Sequence, residues 1–405
     1  MIRRLAAVLE SEKEYLARII AEEVGRPIKL GLYEIDRCIS LCNYYASKSA
    51  SFLKAEVVKT EYEKSYICFE PMGTVLVISP WNYPFWLALR PIIPALCAGN
   101  TVLLKHSNTV PRCTLALASL LKKSGLERAC SVLMTDSDNI LSLLDTQLVD
   151  EVAFIGGTDT GRIVGAAAGR NIRPSVLELG GSDSFIILED ADITRAAKEG
   201  VESRMFNSGQ NCDSAKRFIV VDKVAHKFEQ AFMEKTMALN VGNPLLEGID
   251  IGPLINEQAV VEMEKIVKDA VSKGAKILCG GHRTGVKGFF FMPTVLSGVT
   301  KEMRVANEEV FGPIAPIIVV KDAAEAIKVA NESSYGLGAS IWTGDIRKGE
   351  LIARQVRAGT VCVNHKVRSD YRFPFGGVKN SGYGRNLGHA GIKEFVNIKS
   401  VLIDK

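Results

Sequence analysis

The chain has 405 residues, of which 47% are hydrophobic and 24% charged. That composition has room for two or three domains and excludes a disordered or fibrous protein. The 50 Lys and Arg against 46 Asp and Glu leave a net charge of +4, too small and too scattered for a nucleic-acid footprint or steering to a membrane. The basic start leads into an apolar stretch that stops at Glu10, too short for a secretory signal. Arg90, Gly99 and Asn100 interrupt the best candidate membrane span, residues 80–104, so no membrane association is expected and the chain reads as cytoplasmic. Nine cysteines, an odd number without paired spacings, predict neither a disulfide framework nor a metal site.

Residues 2–26 carry Ile2, Leu5, Leu9, Leu16, Ile19, Ile20 and Val24 at helical spacing, closed by Pro27. A second amphipathic stretch follows through Leu32, Ile35, Ile39, Cys42 and Tyr45. Alternation over residues 57–69 predicts an antiparallel ribbon projecting from the body. From Gly73 onward short apolar strands (74–78, 101–104, 130–134, 151–155, 176–179) alternate with helices, including one over 86–96 interrupted by prolines. A second alternating series runs from 185–187 to 359–364, and residues 398–403 form a terminal strand that pairs outside its own domain. The pattern predicts an α/β protein of two largely parallel sheets with a boundary near Gly180 and Gly181.

Several residues in this frame carry chemistry. Residues 154–161 (Phe-Ile-Gly-Gly-Thr-Asp-Thr-Gly) follow a strand and open a helix, which suits either a pyrophosphate cradle or a tight turn. Cys212 lies in a polar loop, Asn207-Ser208-Gly209-Gln210-Asn211, where donors could stabilise a thiolate; inert packing is the ordinary alternative. Glu178, between Leu177 and Leu179, is either a base with a raised pKa or an acid satisfied by backbone donors. Asn82 between prolines makes a turn or donates to an oxyanion, and Lys105 ends a strand, where it is solvated or reaches a ligand. The five histidines show no ligand-like pairing and no serine-triad order.

Together these segments resemble the aldehyde dehydrogenase superfamily from about residue 3 to residue 400. The carrying motifs are Pro80-Trp81-Asn82-Tyr83-Pro84, Leu104-Lys105, residues 154–161, Leu177-Glu178-Leu179-Gly180-Gly181, Gly209-Gln210-Asn211-Cys212, Glu308-Glu309-Val310-Phe311-Gly312-Pro313 and residues 374–382. The resemblance implies a Rossmann-like dinucleotide-binding domain (residues 1–54 and 71–180), an α/β catalytic domain (181–390) and oligomerisation elements (55–70 and 391–405) that build a homodimer or homotetramer. It implies Cys212 as the nucleophile on a small aldehyde, Asn82 and the Cys212 N–H as oxyanion donors, and Glu178 as the base that hydrolyses the thioester. NADP or NAD is the implied cofactor. Lys105 contacts its adenosine ribose or phosphate, Gly156 and Gly157 its pyrophosphate, and Glu309 and Phe311 its nicotinamide end, with Pro80, Trp81 and Leu179 alongside.

Asn108 stands where relatives restricted to NAD often carry a glutamate, so a 2′-phosphate is not repelled and NADP is the expected preference, with charge from Lys105 and His106 adding to it. Arg90 stands where succinate-semialdehyde dehydrogenases place a carboxylate-binding arginine, which puts a guanidinium at the pocket mouth. Phe206 replaces a second arginine found in some of that group, which keeps lactaldehyde or glyceraldehyde in contention. Relatives usually carry a further N-terminal segment, whose loss would thin the cofactor domain's outer layer; a structural homologue inactivated by it is a competing reading. CoA-acylating dehydrogenation is disfavoured by Glu178, and a cofactor-free thiol hydrolase by the absence of a suitable histidine.

Overall fold

The computed structural model describes residues 1–285 and 287–405, with the backbone alone at 137 and 138. Its first sheet has six strands in the order Gly382–Tyr383, Ser175–Glu178, Glu151–Ile155, Thr74–Ser79, Thr101–His106, Cys130–Leu133. All neighbours are parallel except Gly382–Tyr383, which runs antiparallel to Ser175–Glu178. The chain lays down three strands outward from Thr74–Ser79, then returns to pair Glu151–Ile155 on its other side. The carboxyl ends of those two strands therefore diverge at a topological switch point, where an open α/β sheet offers its ligand crevice.

The second sheet has seven strands, in the order Lys276–Cys279, Thr294–Ser297, Ile314–Val320, Ala215–Val221, Asp183–Ile187, Gly338–Trp342, Thr360–Val363. Only its first strand is antiparallel to its neighbour. Asp183–Ile187 and Ala215–Val221 are buried along their whole length, as strands in a parallel sheet covered on both faces are, and they carry Asp183, Ser184, Lys216 and Arg217 at their starts. The third sheet is antiparallel, with Lys64–Pro71 between Glu56–Val57 and Val396–Ile403. Val57, Ile398, Leu402 and Ile403 are exposed on it.

Three local outcomes differ from the sequence reading. The apolar run over residues 2–26 is two helices, Ile2–Ser11 and Lys13–Val24, because the chain leaves helical geometry at Glu12. The helix Trp86–Cys97 is continuous through Pro91 and Pro94. Its start is held from outside: the Glu34 carboxylate accepts from the N–H groups of Phe85 at 2.9 Å and Trp86 at 2.8 Å, satisfying donors that a helix terminus leaves open. Finally, the span 181–390 is not one structural unit. Phe375, Leu387, Ile392 and Phe395 join the core of the first sheet, and the short strand Gly382–Tyr383 is its edge, since that apolar face would otherwise lie open. Among the described residues no helix is long and apolar enough to cross a membrane.

Candidate active site

The strand Thr74–Ser79 delivers Pro80, Trp81 and Asn82 to the crevice, and Glu151–Ile155 delivers Gly156 and Gly157 beside them. Both glycines line the crevice, and space around a Cβ at Gly157 would be open, so a ligand can approach the backbone there. The helix Thr158–Arg170 begins immediately after, and no side chain caps it. Its first N–H groups are thus free for an anion, the arrangement that holds pyrophosphate.

At one end of the crevice Lys105 Nζ donates to the His106 carbonyl at 2.7 Å and to Asn108 Oδ1 at 3.0 Å. Asn108 Nδ2 in turn lies 3.5 Å from Asp136 Oδ1. His106 does not add the charge expected of it. It is buried between the Pro84 carbonyl and the Ser107 N–H, and desolvation lowers its pKa to about 4, so the ring is neutral. At the other end Trp81 meets Phe311 edge-on at 5.8 Å between centroids. Glu309 accepts from the Gly181 N–H at 3.0 Å and pairs with Lys216 at 3.4 Å. A Cβ at Gly180 would come within 2.1 Å of the Glu309 carboxylate, so a larger residue there would displace that acid. A crevice with an open glycine turn, an uncapped helix start, a lysine at one end and an aromatic pair with an acid at the other fits a dinucleotide.

Cys212 follows a strained turn: Asn207, Ser208 and Gly209 all have positive φ, at 53°, 56° and 74°. Two of these are not glycine, so the surroundings must impose the conformation. They do so through hydrogen bonds. Asn207 Nδ2 donates to the carbonyls of Gln210 at 3.0 Å and Asn82 at 3.2 Å, while Arg26 Nε donates to Asn207 Oδ1 at 3.0 Å. Arg26 also bonds Glu34 and the Asn82 carbonyl and stacks 3.8 Å over the Tyr83 ring. One buried cation thus ties the Asn82 turn to the Cys212 turn. Asn82 Nδ2 itself points into the cysteine loop, donating to the Gln210 carbonyl at 3.2 Å.

Glu178 ends its strand facing the sulfur, with Oε1 3.9 Å from Cys212 Sγ. Its Oε2 accepts from Asn386 Nδ2 at 2.9 Å and from Arg90 Nη2. Burial raises the Glu178 pKa, and the adjacent Arg90 opposes that rise. The Cys212 thiol is pushed well above its usual range by burial, with Asp213 and Glu178 adding to the effect. A polar loop therefore does not make a thiolate here, because burial and the charges of Asp213 and Glu178 outweigh those of Lys216 and Arg90. Arg90 is not at the pocket mouth. It is 1% exposed, held under the Trp86 and Phe375 rings and ion-paired with Glu178, although it still lines the outer cavity.

Cys212 sits where two cavities meet. The inner one is the crevice just described, and the outer one is lined by Tyr33, Arg37, Trp86, Phe206, Arg368 and Ser369. Phe206 stacks on Tyr83 at 6.4 Å, giving this chamber an aromatic wall. A sulfur between a dinucleotide-shaped crevice and a separate small chamber has one neighbour on each side to react with.

The sequence profile described as "Aldehyde dehydrogenase family" matches residues 1–401. The chain belongs to the aldehyde dehydrogenase family. It is 41% identical to an aldehyde dehydrogenase of Paenarthrobacter nicotinovorans, over 99% of this chain and 88% of that one. It is 40% identical to a probable succinate-semialdehyde dehydrogenase [NADP(+)] of Synechocystis sp., over 99% and 89%. The solved structure of succinic semialdehyde dehydrogenase from Streptococcus pyogenes, in complex with NADP+ as the cofactor, superposes with a TM-score of 0.97 at 32% identity, covering 100% of this chain and 89% of that one.

In this aldehyde dehydrogenase several site residues escaped the sequence reading. Asn386, which holds Glu178, comes from the returning segment, far along the chain. Lys216 donates to the Cys212 carbonyl at 2.6 Å, and its position four residues past the cysteine was the one local signal for it. Arg26 and Arg37 come from the N-terminal helical region, where a charged residue reads as solvated surface.

Proposed function

We propose that this enzyme oxidises a small aldehyde bearing a distal carboxylate, succinate semialdehyde or a close analogue, to the corresponding acid with NADP or NAD. The observation that carries the reading is the outer chamber beside Cys212, which is small, aromatic-walled and lined by four basic residues, Arg37, Arg90, Lys366 and Arg368, against two acids, Glu202 and Asp213. Such a chamber favours an anionic group at the far end of the substrate. The similarity to the Synechocystis and Streptococcus proteins supports the same substrate class and cofactor.

In the proposed reaction Cys212 Sγ attacks the aldehyde carbon and its proton passes to Glu178 or to water. The carbonyl oxygen becomes an oxyanion, met by Asn82 Nδ2 and the Cys212 N–H. These are donors aimed at charge that develops during the reaction, the most effective way for a protein to lower such a barrier. A nicotinamide dinucleotide in the crevice supplies the two-electron acceptor for the hydrogen leaving the former aldehyde carbon. Glu178 then takes a proton from water, whose oxygen adds to the thioester; the C–S bond breaks and the acid leaves. A raised pKa suits Glu178 to this task, because a base tuned toward neutral pH both accepts and returns the proton.

Lys105 and Asn108 would receive the adenosine end. Asp136 beside Asn108 opposes a 2′-phosphate, whereas Lys105 favours it, so use of both cofactors follows with NADP favoured by the cation's direct reach. We further propose that the first sheet serves cofactor binding and the second carries the cysteine. The exposed edge of Val396–Ile403 would join copies into a homodimer or homotetramer, since an open apolar edge is otherwise an aggregation hazard. The test is nicotinamide absorbance with succinate semialdehyde, without coenzyme A, against butanal of the same chain length. A clear preference for the carboxylate is expected. Equal turnover of the two aldehydes would defeat the substrate assignment, and no reduced cofactor with any aldehyde would defeat the activity.

A further inference from the structure

The two oxyanion donors named above come from different sheets. Asn82 follows the strand Thr74–Ser79 of the first, and Cys212 precedes the strand Ala215–Val221 of the second. A donor misplaced by about 1 Å forfeits much of its effect on a barrier, so something has to fix one turn against the other.

The N-terminal helical region delivers a cation to that junction. The helix Lys13–Val24 ends at Gly25, whose φ of 79° turns the chain into Arg26 and Pro27. The backbone is pinned on both sides of Arg26. A Cβ at Gly25 would lie 2.7 Å from Pro253 Cγ, and the Ile28 N–H donates to the Pro244 carbonyl at 2.8 Å. The Arg26 side chain is fully buried, yet it lines neither of the cavities that meet at Cys212.

Its guanidinium closes a ring of hydrogen bonds across the junction. Nε donates to Asn207 Oδ1 at 3.0 Å and Nη2 donates to the Asn82 carbonyl, while Asn207 Nδ2 donates to that same carbonyl at 3.2 Å. Each of the three residues is thus bonded to the other two, and the left-handed backbone of Asn207 is held within the ring. Glu34 on Nη1 and the Tyr83 ring at 3.8 Å fix the plane of the fork. Every nitrogen has a different partner, which a planar guanidinium can satisfy and a single ammonium on a flexible stem cannot. The other oxygen of Glu34 accepts from Phe85 and Trp86 at the start of the helix that carries Arg90 to Glu178, so the same ion pair also braces the base.

We propose that Arg26 is a positioning residue for the oxidation: it sets the spacing of the Asn82 amide against the Cys212 N–H without touching substrate or cofactor. This rests on the Cys212 chemistry proposed above and names what aligns it.

The test compares wild type with Arg26→Lys, which keeps a cation for Glu34 and loses the fork. Fluorescence titration counts dinucleotide-binding sites, and single-turnover nicotinamide reduction is followed at saturating enzyme and cofactor, with whichever of succinate semialdehyde and butanal the wild type oxidises faster. The single-turnover rate should fall about 10–100-fold, while each chain still binds dinucleotide with little change in affinity. In an Asn82→Ala background the same substitution should cost less than about threefold, since no amide is left to aim. Fewer binding sites with a normal rate would mark a merely structural role and overturn the proposal, as would an equal loss with and without Asn82. If Arg26→Lys does not fold, Asn207→Asp decides by the same outcomes, because it keeps an acceptor for Nε and tolerates a left-handed backbone but gives up the bond to the Asn82 carbonyl. A wild type that reduces no cofactor with either aldehyde would instead remove the functional reading itself, which separates the two failures.

Discussion

Cys212 Sγ lies 3.9 Å from Glu178 Oε1, while the other oxygen of that carboxylate is held by Arg90 and Asn386. The acid is thus close enough to serve the sulfur and fixed at its far side, with Oε1 left facing Cys212. Glu178→Gln keeps the shape and removes the proposed base. Steady-state kcat should fall roughly 10²–10⁴-fold, the range for losing a general base. A single rapid burst of reduced nicotinamide should survive, with acylated Cys212 accumulating in intact-mass spectra.

The thiol itself is held protonated. Burial, Asp213 and Glu178 all push its pKa up, so thiolate is scarce at neutral pH and grows as pH rises past the ordinary cysteine range. Iodoacetamide labelling of Cys212 in the cofactor-free enzyme should therefore be slow at pH 7 and climb steeply above pH 9. Removing the Glu178 charge lowers the thiol pKa, so Glu178→Gln should label faster than wild type at the same alkaline pH. Labelling that reaches a plateau below the free-cysteine pKa would reverse the assignment.

Much of this site is legible in the sequence because its parts follow strand ends. Asn82, Gly156 and Glu178 each sit at or just after the carboxyl end of an apolar strand, where a parallel sheet delivers ligand-facing residues, and Cys212 lies in a polar loop before the strand Ala215–Val221. The α/β alternation is legible for the same reason. What the sequence hides are partners brought from far away. The pairing of Arg90 with Glu178 spans 88 positions, and that of Asn386 with Glu178 spans 208. No local pattern encodes such contacts. Likewise residues 371–390 read as part of the second unit, because their return to the first sheet is decided by packing of Phe375 and Leu387 rather than by periodicity.

In the proposed reading cofactor choice turns on Lys105 and Asn108, in contact at 3.0 Å, and on Asp136 behind them. Asn108→Glu adds a carboxylate at the position facing a 2′-phosphate. It should lower kcat/KM for NADP by about tenfold or more, the effect of one unfavourable charge worth about 1.4 kcal/mol, with a smaller change for NAD. Parallel titrations with both dinucleotides check this.

Stability carries its own pH signature. Glu151 is 1% exposed, its Oε2 has no hydrogen-bond partner among the described residues, and burial with nearby Glu394 raises its pKa to about 8. Its protonated form is the one the fold prefers, so its contribution is complete below about pH 4.5 and is lost as pH rises toward about 8. Asp183, raised to about 7, acts in the same direction. Glu151→Gln should match wild type near pH 4.5 and exceed it at pH 8 by on the order of 2–4 kcal/mol in denaturant unfolding. A stability difference that does not grow with pH would contradict the assigned cause.

The most direct test of the account is the replacement Cys212→Ser, assayed for cofactor-dependent aldehyde oxidation alongside dinucleotide binding measured by fluorescence. Serine conserves the size and removes the sulfur on which the proposed acyl intermediate is carried. The expected result is oxidation reduced by at least about 10³-fold, within the range seen when an activated nucleophile is removed, with dinucleotide binding retained. A serine variant that binds the dinucleotide and still oxidises the aldehyde within tenfold of wild type would contradict covalent chemistry at Cys212.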